Sequence, residues 1–269
     1  MNKQISIIGC GWLGLPLAKE LIKDTYIVKG STTTTNKLSV LKAVSIEPYI
    51  IEFTKDGING DIKNCLSGSD ILILNVPPGL RKQPETNFVN QIEYLIPYIE
   101  NSSIQKLIFI SSTSVYSDEE SIPIITEKSI PKPETESGKQ LLIIENLLQN
   151  NTHFQTTIIR FSGLYGEDRH PAKSLSGKIN LKNPEAPVNL IHLNDCIGII
   201  KSVIKNNAWN NKFNASTTPH PSRKNYYTSV CNSLNLPVPK FDESMINKGK
   251  IINSDKLVQL LNYSFKIKL

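Results

Sequence analysis

The chain has 269 residues, 39% hydrophobic and 20% charged, with a formal net charge of +6. That length suits one large or two unequal domains with an ample core, and it excludes a peptide hormone, a disulfide miniprotein and a fibrous repeat. The composition is that of an ordinary globular protein rather than a disordered or membrane one.

The chain opens with a short β-branched run, Gln4 to Ile8, then Gly9-Cys10-Gly11-Trp12-Leu13-Gly14 and a helical pattern through Leu17, Ala18, Leu21 and Ile22. This reads as strand, glycine turn, helix. The alternation continues with strands at Tyr26 to Lys29, Tyr49 to Phe53 and Asp70 to Asn75, separated by helices near Leu38 to Val44 and Ile62 to Leu66. Phe88, Ile92, Leu95, Ile96 and Ile99 mark one face of an amphipathic helix. After it come a strand at Lys106 to Ile110, a polar passage, a helix at Lys139 to Leu148 and a strand at Thr156 to Arg160. Beyond Arg160 the rhythm breaks. Only Asp195 to Lys205, Ser222 to Leu234 and Ser254 to Leu261 read as helices there, with Lys212 to Ala215 as a strand.

The series predicts an α/β fold, a doubly wound parallel sheet of Rossmann type with a small carboxyl-terminal cap. Residues 1–160, completed by about 188–216, form the expected dinucleotide-binding domain; residues 161–187 and 217–269 form the expected substrate-binding cap.

A glycine pattern of this kind carries weight only after a strand and before a helix, which is its setting here. Gly9 permits the tight turn, Gly11 lets backbone approach a pyrophosphate, and Gly14 allows close packing of helix on strand. Trp12 and Leu13 complete the expected cofactor turn. Asn75, Val76, Pro77 and Pro78 end the fourth strand at the carboxyl edge, where a cofactor lies in such sheets. The second strand ends in Ser31-Thr32-Thr33 with no Asp or Glu to hold ribose hydroxyls, and Lys29 and Lys37 flank it. A 2′-phosphate is easier to accommodate there than to repel, which favours NADP over NAD; a plain polar loop is the alternative.

Gly9 to Gly14, the string Ile110-Ser111-Ser112-Thr113-Ser114-Val115-Tyr116, Arg160-Phe161-Ser162-Gly163-Leu164-Tyr165-Gly166 and Ile191-His192-Leu193-Asn194-Asp195 resemble the extended short-chain dehydrogenase/reductase family, the NAD(P)-dependent epimerase/dehydratase group. The strings Gly166 to Pro171 and Val188 to Leu193 further resemble its YeeZ-like branch. The resemblance implies a Tyr that takes a hydroxyl proton, a Lys one helical turn on that lowers its pKa, and a Ser that positions the oxygen. Ser112 takes the positioning role. In the Tyr-Lys frame stand Ser137 and Leu141, so both halves of the pair are missing; the other frame, Thr135 with Lys139, still lacks the tyrosine.

Ser112, Tyr116 and Ser137 are therefore the catalytic candidates, Tyr116 as a substitute phenol or a substrate-side hydrogen bond. Lys139 is a candidate for the cofactor ribose or a phosphate. Thr113, Arg169 and His170 are candidates for an anionic substrate, the last two falling where the resemblance implies a substrate-phosphate arginine. His192 and Asp195 are expected to organise a strand-helix junction.

The function implied is an NADP-dependent oxidoreductase or epimerase acting on a nucleotide-sugar-like or phosphorylated carbonyl compound. The alternative is a non-catalytic NADP-binding sensor or regulatory protein. Only four of the thirty basic residues are arginine and the lysines are scattered, which argues against nucleic acid and for a lysine-rich surface. Cys10, Cys65, Cys196 and Cys231 lie far apart, signalling neither disulfides nor a metal site. Lys3 and Ile7-Ile8-Gly9-Cys10 imitate a lipoprotein signal, but its apolar region needs about 7 to 15 residues. No run reaches the roughly 18 to 20 apolar residues of a membrane span. The expected location is cytoplasmic. The resemblance implies a homodimer through the helices after the fourth and fifth strands, while the face Phe88 to Ile99 equally suits packing on the sheet.

Overall fold

The computed structural model describes residues 3–80 and 84–269. Strand β1 (Gln4–Ile8) leads through the glycine turn into α1 (Gly14–Lys23), then β2 (Ile27–Thr32), α2 (Lys37–Lys42) and β3 (Glu47–Phe53), which folds back into β4 (Ile58–Gly60). After α3 (Ile62–Leu66) the chain crosses to the other side of β1 and lays down β5 (Ile71–Leu74), α4 (Phe88–Glu100), β6 (Lys106–Ser112), β7 (Ile124–Ile125), α5 (Glu136–Gln149) and β8 (Gln155–Phe161). The rest comprises β9 (Gly163–Tyr165), α6 (Pro171–Leu175), β10 (Leu190–His192), α7 (Leu193–Lys205), β11 (Lys212–Ala215), α8 (Arg223–Ser233), β12 (Ile251–Ile252) and α9 (Asp255–Leu261).

The main sheet runs β11-β8-β6-β5-β1-β2-β3-β4. Every pairing in it is parallel except the β3-β4 hairpin. This is the expected α/β doubly wound sheet. Strand order reverses between β5 and β1, so the crevice that can take a ligand opens over the carboxyl ends of those strands.

Alternate residues of each strand feed two cores. Ile5, Ile7, Ile73, Ile108, Ile159 and Phe161 pack under α1 and α7 with Leu17, Leu21, Ile200 and Val203. Ile8, Leu72, Leu74, Phe109 and Ile158 pack under α4 and α5 with Phe88, Ile92, Leu95, Ile99, Ile144 and Leu148. Covering both faces is what a parallel sheet requires. The apolar face of α4 is thus buried on the sheet.

Local capping sets where the site helices begin. Asn87 accepts from the Asn90 amide (3.1 Å) ahead of α4, and Thr135 accepts from the Gly138 amide (3.1 Å) ahead of α5. That cap starts α5 three residues before the expected Lys139. A third core, Tyr165, Ala172, Val188, Leu190, Tyr226, Tyr227 and Cys231, joins α6, α8 and the β9-β10 pair beside the carboxyl edge of the sheet. Asp195, fully buried, accepts from Tyr263 Oη (2.8 Å) and the Lys266 amide (2.8 Å), pinning the carboxyl-terminal tail onto α7. His192 caps the same helix through Nδ1, which accepts from the Asn194 amide (3.2 Å). Among the described residues no helix is long and apolar enough to cross a membrane, and no cluster of His, Cys, Asp or Glu suits a metal ion.

Candidate functional site

The three glycines of the first turn have different reasons to be glycine. Gly9 has φ +102°, and a Cβ on it would lie 2.4 Å from the Asn75 carbonyl oxygen. A Cβ on Gly14 would lie 2.2 Å from the carbonyl oxygen of Gly9. At Gly11 nothing lies within 4 Å, so that position faces open space. Side chains lock the turn: Gly9 donates to Ser31 Oγ (3.0 Å) and Asn75 Nδ2 donates to the Gly9 carbonyl (3.0 Å). Leu13, before the first residue of α1, makes no side-chain cap; in the first turn the Leu15 amide donates to the Gly11 carbonyl (3.1 Å) and Pro16 has no amide hydrogen.

This turn forms one wall of a cleft of about 440 Å³ over the switch point. Gly9, Gly11, Trp12, Leu13, Ser31, Thr32, Thr33, Asn75, Val76, Pro77 and Pro78 all line it. Gly14 stands behind it. Cys10 also lines the cleft, where burial pushes its thiol up to about 12, so it is an inert neutral group. Lys37 reaches the cleft, but Lys29 does not. Its ammonium passes beneath the sheet edge and donates to the carbonyls of Asn64 (2.7 Å) and Ser67 (2.9 Å) near the end of α3. The pair of lysines expected around Ser31 to Thr33 is reduced to one.

Ser112 stands at the far wall of the cleft and is shared with a second cavity of about 350 Å³. Its Oγ accepts from the Ser114 amide (3.1 Å). The second cavity takes Thr113 and Ser114 from the same loop, Val188 to Leu190 from the segment entering β10, and Arg223, Tyr227, Lys248 and Lys250 from the carboxyl-terminal third. Lys250 is held by the Tyr116 carbonyl (2.8 Å) and Asp118 (2.9 Å), and Arg223 Nη1 donates to the Lys182 carbonyl (2.6 Å). None of these cations was a sequence candidate; Arg223 opens α8, Lys248 and Lys250 lie just ahead of β12, and only folding gathers them.

The start of α5 presses on the Ser112 loop, where a Cβ on Gly138 would meet the Ser114 carbonyl oxygen at 2.4 Å. Leu141, 3% exposed, lines the first cleft in the place where the family resemblance puts lysine. Ser137 is half-buried and lines neither cavity, and Lys139 is exposed and lines neither. Thr135 serves as the helix cap. The candidate roles of Ser137 and Lys139 at the cleft thus find no support in their positions, because the first turn of α5 carries both side chains away from it.

Tyr116 is corrected more sharply. The phenol is buried, 3% exposed, and lies among charged groups under the sheet rather than in either cavity. Its hydroxyl accepts from Arg160 Nη1 and donates to Asn214 Oδ1 (3.1 Å). Arg160 (1% exposed) pairs with Glu145 (0% exposed) through Nε at 2.9 and 3.1 Å and through Nη2. Glu145 also accepts from Ser111 Oγ (2.6 Å). Burial pushes the phenol above its ordinary range, so it stays protonated at neutral pH. The trace of this network in the sequence is an acid on α5 and an arginine ending β8, two positions on opposite sides of a turn.

Arg169 and His170 separate. Arg169 stands in the first cleft with its guanidinium 5.1 Å over the Trp12 ring, not in the second cavity with Thr113. His170 caps α6, Nδ1 accepting from the Ala172 amide (3.1 Å), while Nε2 meets Tyr226 Oη (3.1 Å). That arrangement consumes both ring nitrogens and leaves His170 lining neither cavity. A larger open groove, about 1070 Å³ between α1 and α7, is lined by Lys19, Lys23, Lys201 and Lys205 with Glu20 and Asp24 and contains none of the candidate residues.

No protein-family profile matches the chain. Protein YeeZ of Escherichia coli K12 is 30% identical over 266 residues, covering 98% of this chain and 96% of the relative. The chain belongs to the same family as protein YeeZ. An uncharacterized UDP-glucose epimerase of Bacillus subtilis, YtcB, is 23% identical over 72% of this chain and 70% of its own. Among solved structures, UDP-glucuronic acid 4-epimerase from Bacillus cereus in complex with NAD superposes with a TM-score of 0.81 at 18% identity, over 98% of this chain and 92% of that one. MoeE5 in complex with UDP-glucose and NAD gives 0.80 at 16% identity, over 100% and 95%. At those identities the likeness establishes the extended short-chain fold.

Proposed function

We propose that the chain binds a nicotinamide dinucleotide in the first cleft, NADP in preference to NAD, and acts as an oxidoreductase or epimerase on a phosphorylated or nucleotide-linked carbonyl compound held in the second cavity. The observation that carries this reading is the glycine turn: Gly9 and Gly14 are filled in by neighbouring backbone, whereas Gly11 opens on the cleft beside the uncapped start of α1. Gly11, Trp12 and Leu13 would hold the diphosphate, Ser31 to Thr33 the adenine ribose, and Asn75 to Pro78 the nicotinamide side. The NADP preference rests on the lack of an acid at the end of β2 and on Lys37, without help from Lys29. When bound, the dinucleotide would exchange hydride with the substrate carbon.

Ser112 sits where the two cavities meet, and its oxygen already accepts from the Ser114 amide, so its own proton is left to orient a substrate oxygen. Lys250 is paired with Asp118 and Lys248 with Glu120, so Arg223 is the cation left to hold a phosphate in the second cavity. A second reading, a sensor that binds NADP without turnover, is favoured by one observation: Leu141 puts a methyl-bearing wall where the family pair would lower a phenol's pKa.

Parallel titrations with NADPH and NADH, followed by product analysis over nucleotide sugars and sugar phosphates, separate these readings. Micromolar NADPH binding with turnover on a phosphate-bearing compound is the expected outcome. Tight NADPH binding without turnover leaves the sensor, and no binding of either nucleotide removes the cofactor reading of the cleft.

A further inference from the structure

The segment after β9 closes on the glycine turn from outside the sheet. Gly166 and Arg169 tie it into a tight loop, the Gly166 amide donating to the Arg169 carbonyl (2.8 Å) and the Arg169 amide to the Gly166 carbonyl (3.2 Å). Trp12, the residue after Gly11, clips the loop down by donating from Nε1 to Asp168 Oδ1 (3.0 Å). Gly166 permits the approach, since a Cβ there would stand 3.0 Å from the Trp12 ring. Arg169 lies on that ring, exposed, and among the described residues no group accepts from its guanidinium.

Only two cations line the cleft among the described residues, Lys37 and Arg169. Lys37 follows the end of β2, at the ribose end, whereas Arg169 is fixed to the residue beside Gly11, where the reading above places the diphosphate. We propose that Arg169 is a cofactor residue: it caps the diphosphate of the bound dinucleotide from the side opposite α1, and the Trp12-Asp168 clip holds it there. A diphosphate between a helix start and a forked guanidinium is neutralised on both faces, and the planar fork keeps its contact with Trp12 while donating to oxygen. The proposal rests on the dinucleotide reading of the cleft.

Its test uses NADH, ADP-ribose and adenosine as probes of the full chain. Loss of a charge-assisted contact predicts that Arg169→Gln weakens NADH and ADP-ribose by a similar factor, about 10- to 100-fold, and leaves adenosine within about twofold. Trp12→Phe keeps the ring face but removes the donor to Asp168, so NADH should dissociate faster in stopped flow. Should Arg169→Gln fail to fold, Arg169→Lys, which keeps charge without the fork, should still lose affinity for both diphosphates. NADH affinity unchanged in the folded variant overturns the proposal. So does an equal loss for adenosine, which marks a purely structural role. If the wild-type chain binds none of the three, the dinucleotide reading itself falls and takes this proposal with it.

Discussion

The two walls of the first cleft stand in opposite states. On the β1 wall the features suit a ligand: an open glycine and a helix start without a side-chain cap. On the α5 wall Leu141 lines the cleft beside Ser111 and Ser112, and Ser111 donates to Glu145, which with Arg160, Tyr116 and Asn214 forms a buried network behind it. One wall of a cleft in this fold can therefore present an open glycine turn while the ionisable groups behind the other are structural. The reason is energetic: a buried arginine and carboxylate are tolerated only when each holds the other, so once paired they are unavailable to a substrate.

The contrast breaks most visibly at the buried pair. Glu145→Ala strands a charged Arg160 and should cost about 3–5 kcal/mol in urea denaturation; a loss below about 1 kcal/mol would mean that the pair is not the keystone of that wall. Gly9→Ala follows, because a left-handed backbone and a 2.4 Å approach to Asn75 both resist a methyl group; about 1–3 kcal/mol of stability should go, together with NADH affinity. Tyr116→Phe should cost about 1–3 kcal/mol by unpairing Asn214 and one arginine donor, with NADH affinity unmoved. An affinity change there would return the phenol to the cleft.

Gly11→Ala sharpens the comparison further. With nothing within 4 Å, its stability should shift by no more than about 0.5 kcal/mol. NADH affinity should nevertheless fall about tenfold or more, since the methyl group occupies the space a diphosphate needs. The smallest effect concerns pH. Burial lowers the pKa of His170 and His220 below the ordinary value near 6.5. Below that value the unfolded chain takes up protons that the folded chain refuses, so stability declines as pH falls and levels off beneath the folded pKa. His170→Gln should flatten that slope in denaturation series between pH 7 and 5, and an unchanged slope would remove His170 from the account.

Much of the fold was legible because its signals are local. Alternating strands, the helix face from Phe88 to Ile99 and the Gly9 to Gly14 turn each depend on residues a few positions apart. The β3-β4 hairpin was not, since Ile58 to Gly60 is too short to carry an alternation and exists by pairing with Ile51 to Phe53. The same holds for β7, β9, β10 and β12, two- or three-residue strands whose partners are distant in the chain. Lys29 misled for a related reason: the end of β2 was visible, but the path of a long side chain was set by carbonyls of Asn64 and Ser67 that only packing brings near. Tyr116 stood in a family string, yet its surroundings came from β8 and β11.

By itself, then, the sequence determined the doubly wound sheet and the place of the glycine turn, because each is written in neighbouring residues and their spacing. Tertiary structure alone decided which polar groups face a cavity. Trp12 meets Asp168, Glu145 meets Arg160, and Lys250 meets the Tyr116 carbonyl across long stretches of chain. A hydrogen-bonding side chain commits to whatever partner the global register delivers, and once that bond is made in a buried place it is no longer free for a ligand.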